Sequence, residues 1–141
     1  MFNELYRTTV QGREPYKKLV RVLTTIEPEE KQKFWVDVRL YYEEKPTRAG
    51  VMFTAKEFEN LIPQIRETLE IRETIHKESF DEKKIQLYNE TGCKWRFFLH
   101  KNTNGIDKII GLTKTELDII ANTADTVLNY CSVNIQDLIR M

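Results

Sequence analysis

An α+β fold is predicted from this sequence: two repeats of a small antiparallel β-meander of three to four strands, each followed by an α-helix, packed as an intrachain pseudo-dimer. Three observations carry the prediction. Two helical stripes of apolar residues share one spacing 59 residues apart, the same capping signal opens both, and strand-like segments punctuated by turn residues precede each. The first repeat is assigned to residues 1–78, and the second, divergent one to 79–141 with a short helix at 135–140.

The first meander is read from residues 17–26, 34–42 and 50–53, rich in Val, Tyr, Trp and Phe, with Pro28 and the stretch 44–49 as separators. Its helix carries Phe58, Leu61, Ile62, Ile65 and Leu69 at i, i+3, i+4, i+7 and i+11, which is one helical face. Pro63 lies inside this helix, where it removes the hydrogen bond to the Glu59 carbonyl and predicts a kink. A break is expected near 76–81. The second meander follows at 83–88, 94–101 and 106–112, with turns at 89–92 and 102–105. Leu117, Ile120, Ala121, Ala124 and Leu128 then repeat the first stripe.

Each helix opens with a capping box, Thr54 with Glu57 and Thr113 with Glu116, and an apolar residue precedes each cap as a staple, Phe53 and Leu112. A module of about 55 residues with one helix on one sheet face is too small to bury a sufficient core alone, so two copies predict mutual packing. Phe58, Leu61, Ile65, Leu117, Ile120 and Leu128 are the residues expected in that shared core.

Composition narrows the function classes. With 40% apolar and 31% charged residues the chain has the balance of a globular protein, and no apolar run approaches a membrane span. The first residues show no signal pattern, so an intracellular protein is expected, nuclear in a eukaryote. Cys93 and Cys131 have no neighbouring Cys or His at ligand spacing, which argues against zinc and against a disulfide scaffold. The net charge is zero, yet it is segregated: +2 over residues 1–48, −4 over 55–82, +5 over 83–115 and −3 over 116–141. Basic strands and acidic helices would place a positive sheet surface behind a negative helical layer.

Strand alternation sorts the side chains. Val36, Val38 and Leu40 point one way, and Trp35, Asp37, Arg39 and Tyr41 the other. In the second half Trp95, Phe97 and Leu99 share one face, and Arg96, Phe98 and His100 the opposite one. Rings interleaved with cations on a curved sheet suit unpaired nucleic acid, because bases stack on the rings while cations follow the phosphates. The alternative is that the rings fill the core.

The segment Trp35-Val36-Asp37-Val38-Arg39-Leu40-Tyr41-Tyr42, the stretch Lys45-Pro46-Thr47-Arg48-Ala49-Gly50-Val51 and the capped helix from Thr54 to Leu69 together resemble the transcriptional coactivator family called positive cofactor four. The resemblance covers about 55 residues in one register. It implies a four-stranded sheet plus helix, dimerised through the helices, with single-stranded DNA across the curved sheets. Arg39 stands at the family's strand arginine, Tyr42 at its DNA-stacking tryptophan and Arg48 in its basic turn; Thr47 and Ala49 replace the turn's Gly and Lys. In the second half only strand order, Ile110-Gly111-Leu112-Thr113 and the helix carry over. The purine-rich-element-binding and Whirly families share the same plan.

The expected nucleic-acid-binding residues are therefore Arg21, Lys33, Trp35, Arg39, Tyr41, Tyr42, Lys45 and Arg48 in the first repeat, and Lys84, Tyr88, Arg96, Phe98, His100 and Lys101 in the second. The expected ligand is single-stranded DNA, with RNA as its alternative, and transcription or replication proteins are the expected protein partners. No cofactor or metal is expected. Catalysis has little support: His76 and His100 are lone, no Gly-rich phosphate loop occurs, and the acidic pairs read as solvating charges. The competing reading from another class is a protein-interaction subunit that keeps the fold without binding nucleic acid.

Overall fold

The computed structural model describes residues 2–25, 32–70, 78–80, 85–89 and 96–131. In chain order these form β1 (Phe2–Arg13), β2 (Tyr16–Thr25), β3 (Lys33–Tyr42), β4 (Lys45–Thr54), α1 (Ala55–Glu70), β5 (Glu78–Phe80), β6 (Ile85–Asn89), β7 (Arg96–Thr103), β8 (Ile106–Thr113) and α2 (Lys114–Tyr130). The architecture is α+β, with two antiparallel four-stranded sheets in the orders β1-β2-β3-β4 and β5-β6-β7-β8. No described helix is long and apolar enough to cross a membrane.

The strands differ from the sequence expectation in three places. β1 is not anticipated by any apolar pattern, and it is the longest strand, with register shifts between Glu4 and Tyr6 and between Thr9 and Gln11 that bend the sheet. β4 begins at Lys45 rather than at residue 50, because an edge strand tolerates Pro46, whose missing N–H is not needed by an outer neighbour. Within the expected break, Glu78–Phe80 pairs with β6 and so belongs to the second sheet. The expected helix at 135–140 and the turn at 90–92 lie outside the described residues.

Turn chemistry closes two hairpins. Asn104 and Gly105 connect β7 to β8 with φ of 52° and 82°, the positive pair that a two-residue loop needs to match strand twist. Glu43 and Glu44 connect β3 to β4 with φ of 48° and 66°, the same geometry built from residues that favour it far less.

Both capping boxes form. The Thr54 hydroxyl accepts from the Glu57 N–H at 3.1 Å and the Glu57 carboxylate from the Thr54 N–H at 2.8 Å. Thr113 and Glu116 repeat this at 3.2 and 2.8 Å. Phe53, just before the first cap, meets Phe58 with ring centroids 6.5 Å apart, which is the staple contact. α1 runs unbroken through Pro63. It buries Phe58, Leu61, Ile62, Ile65 and Thr68, and α2 buries Leu117, Ile120, Ala121, Ala124 and Val127. In the last turn of each helix the buried position is thus one residue earlier than the apolar stripe predicts, and Leu69 and Leu128 pack only partly against the core.

One hydrophobic cluster joins Val20, Val22, Val36, Val38, Val51 and Phe53 of the first sheet, Ile85, Leu87, Phe97, Leu99, Ile110 and Leu112 of the second, and both helices. The helices touch each other, and β4 lies beside β8. Each sheet therefore has an inner face against this core and an outer face turned away from it.

Candidate nucleic-acid interface

The outer face of the first sheet is organised around one carboxylate. Asp37 is fully buried, and it accepts from Arg21 Nη2 at 3.0 Å and from Arg39 Nη2 and Nε at 3.0 and 3.2 Å. Arg39 also donates to the Thr47 carbonyl at 2.8 Å, so its guanidinium is pinned flat across the strand. Gly50 makes room for it: a Cβ at that position would lie 2.7 Å from Arg39 Cζ. Arg21 stacks at 5.5 Å over the ring of Tyr41, which is only 5% exposed, and burial pushes the Tyr41 phenol above its ordinary pKa. Arg21, Arg39 and Tyr41, expected as contacts to a ligand, thus form the supporting layer of this face.

The accessible groups of the first half lie around that layer. Trp35 is half-buried and held edge-on by Phe2, with ring centroids 6.2 Å apart at 86°. Its indole N–H is buried without an acceptor among the described residues. Tyr42 is exposed and packs on Tyr16 at 5.1 Å, making a paired ring at the hairpin end of the sheet. Lys33, Lys45 and Arg48 are exposed, and none has a carboxylate partner among the described residues.

In the second half, alternation places Arg96, Phe98 and His100 on the outer face, since Phe97 and Leu99 are buried on the inner one. Phe98 is half-buried between Tyr88, at 5.6 Å, and the guanidinium of Arg96, at 5.8 Å. Gly111 opposite Phe98 leaves room for that ring, 3.3 Å from where a Cβ would stand. His100 contacts Asp107 at 2.9 Å, and Asn102 and His100 together hold the Asp107 carboxyl below its ordinary pKa. Lys101 is separated from this group. It points inward, donating to Glu57 at 2.7 Å and to the Met52 carbonyl at 2.9 Å. Lys84 lies outside the described residues.

Where the two sheets meet there is a groove of about 380 Å³. Trp35, Arg39 and Met52 of β3 and β4 wall one side, and Lys101, Thr103, Asn104, Ile106 and Lys108 of the β7–β8 hairpin wall the other. Met52, Asn104, Ile106 and Lys108 are not among the residues expected from sequence. Alternation alone could pair Ile106 and Lys108 as one face, but their placement opposite Trp35 depends on how the two sheets pack. Among the described residues no group of three or more His, Cys, Asp or Glu could hold a metal ion.

In comparisons with known proteins, no family model matches the chain and no curated protein is significantly similar to it.

Proposed function

We propose that this protein binds unpaired nucleic acid, DNA in the first instance, across the outer faces of its two sheets, acting as a transcription coactivator or regulator or as a replication-associated factor. The observation that carries the reading is that rings stand beside cations on both outer faces, Trp35 with Lys33 on the first sheet and Phe98 and Tyr88 with Arg96 on the second, while Tyr42, Tyr16, Lys45 and Arg48 form a further exposed group at the hairpin end of the first sheet. Bases of a single strand stack on such rings, while lysines and arginines follow the phosphates. A duplex hides the π-faces that the rings would take.

The two strand-strand-strand-strand-helix units pair as an intrachain pseudo-dimer with α1 and α2 between them, and this turns both ring-bearing faces outward. The resemblance of residues 35–69 to the positive cofactor four family supports the same arrangement, with Tyr42 in the stacking position and Arg48 in the basic turn. Arg39 then acts by ordering the face rather than by reaching a phosphate, since Asp37 and Thr47 already hold it. That neutralisation, with the zero net charge, is what favours the second reading, a protein-interaction subunit of the same fold.

Substitution separates the two kinds of interaction. Lys33→Ala, Lys45→Ala or Arg48→Ala is expected to weaken binding to all single strands alike and to lower the salt slope by about 0.7 for each phosphate that is no longer neutralised. Tyr42→Ala or Phe98→Ala is expected to cost about 1–3 kcal/mol per stacked base and leave the slope unchanged. Folded variants of both kinds that bind like the parent would show that neither the outer faces nor the hairpin end of the first sheet is the binding surface.

A further inference from the structure

We infer that the groove between the two sheets is a pocket for one unstacked base of a bound DNA strand, an inference that rests on the nucleic-acid reading above. Its volume of about 380 Å³ lies at the small end of ligand sites, which run from about 300 to 1,000 Å³. That is room for a single nucleotide and too little for a peptide helix or a duplex.

The lining selects for the same occupant. Trp35 supplies a flat π-surface whose ring is already fixed by Phe2, so stacking on it costs little ordering. Met52 and Ile106 supply apolar walls, and Ile106 is 60% exposed, a large apolar side chain that an inserted base would cover. All three charged lining residues are cations. Two of them are occupied, Arg39 by Asp37 and Lys101 by Glu57. Lys108 has no carboxylate partner among the described residues and is exposed at the groove, where it can pair with the phosphate of the inserted nucleotide. A planar apolar ligand carrying an adjacent negative charge fits this combination, and an unpaired nucleotide is such a ligand.

One wall of the groove belongs to the outer face of the first sheet and the other to the inward-facing side of the β7–β8 hairpin. A base held here would tie the strand to both units at once.

The test uses fluorescein-labelled (dT)12, with anisotropy reporting binding and tryptophan emission reporting the groove. The oligonucleotide is expected to quench the emission of the parent protein, and this quench is expected to be absent in Trp35→Phe, which still binds. Ile106→Glu, at an exposed position, is expected to weaken binding by about 5- to 150-fold, the equivalent of one stacked base. Lys108→Ala is expected to lower the salt slope by about 0.7. If (dT)12 binds the parent but quenches Trp35→Phe equally, or if Ile106→Glu and Lys108→Ala both bind like the parent, the groove is not a base pocket and the outer-face reading stands alone. If (dT)12 neither binds nor quenches at low salt, both readings fall.

Discussion

The ammonium of Lys101 lies 2.7 Å from Oε1 of Glu57, the carboxylate that closes the capping box of α1, although 44 residues separate them. A counterpart runs the other way: Lys18 of β2 donates at 3.0 Å to Glu116, which closes the box of α2. The cap of α1 is thus completed by a lysine of the second sheet, and the cap of α2 by a lysine of the first. Neither lysine is highly exposed, and Glu116 is almost fully buried, so these are not weak surface pairs.

Stability should therefore depend on acid through Glu57. Burial pushes its carboxyl upward, but the Lys101 ammonium and the Thr54 N–H more than offset that and hold it below the ordinary value of 4.5. A depressed folded-state pKa stabilises the fold above the unfolded value, and the contribution is lost as pH falls through the folded one. Urea midpoints measured from pH 7 down to 3 are expected to hold steady and then fall below about 4.5. In Lys101→Met the parent should lose its advantage over the variant across that same window, and a constant difference at all pH values would contradict the coupling.

Asp37 should be the most sensitive charged residue of the fold. It is fully buried and satisfied by two arginines. Asp37→Ala leaves both guanidinium groups without their partner and is expected to cost about 3–5 kcal/mol, the usual consequence of breaking a buried pair from one side. Chemical denaturation reads this directly. A loss under about 1 kcal/mol would mean that the arginines find equal partners elsewhere.

The β3–β4 turn should accept improvement. Glu43 and Glu44 occupy positive φ, where Asn and Gly are favoured. Glu44 also pairs with Lys17, yet that pair is at the surface and contributes little. The double substitution Glu43→Asn and Glu44→Gly is expected to stabilise the protein by about 1 kcal/mol in urea denaturation, and a destabilised variant would show that the turn is held by more than its backbone.

Local signals make much of this structure legible. Alternation in residues 34–42 and 96–101 separates inner from outer faces, and Thr-x-x-Glu marks both helix starts, because each depends only on neighbours along the chain. β1 escapes such reading since its polar residues, Asn3, Glu4, Arg7, Thr8 and Thr9, give an edge strand no apolar period. Residues 45–49 resemble a separator because Pro46 argues against a central strand, and it stands at an edge. The candidate site is less legible than the fold. Arg39 and Tyr41 lie on the expected face, but Asp37 holds Arg39 and the Arg21 guanidinium covers Tyr41, so both belong to its supporting layer. Lys101 and the groove wall depend on packing between the two sheets, which no local pattern encodes.

If the outer faces hold an unpaired strand by stacking and phosphate contacts together, affinity must depend on both strandedness and salt. The most direct measurement is the affinity for a labelled single strand and for the matching duplex, by anisotropy, at several salt concentrations. Tighter binding of the single strand is expected, with log K falling against log salt at a slope of about −3 to −4 for four to six phosphates contacted. Equal affinity for the duplex, or a flat response to salt, would contradict that mode of binding.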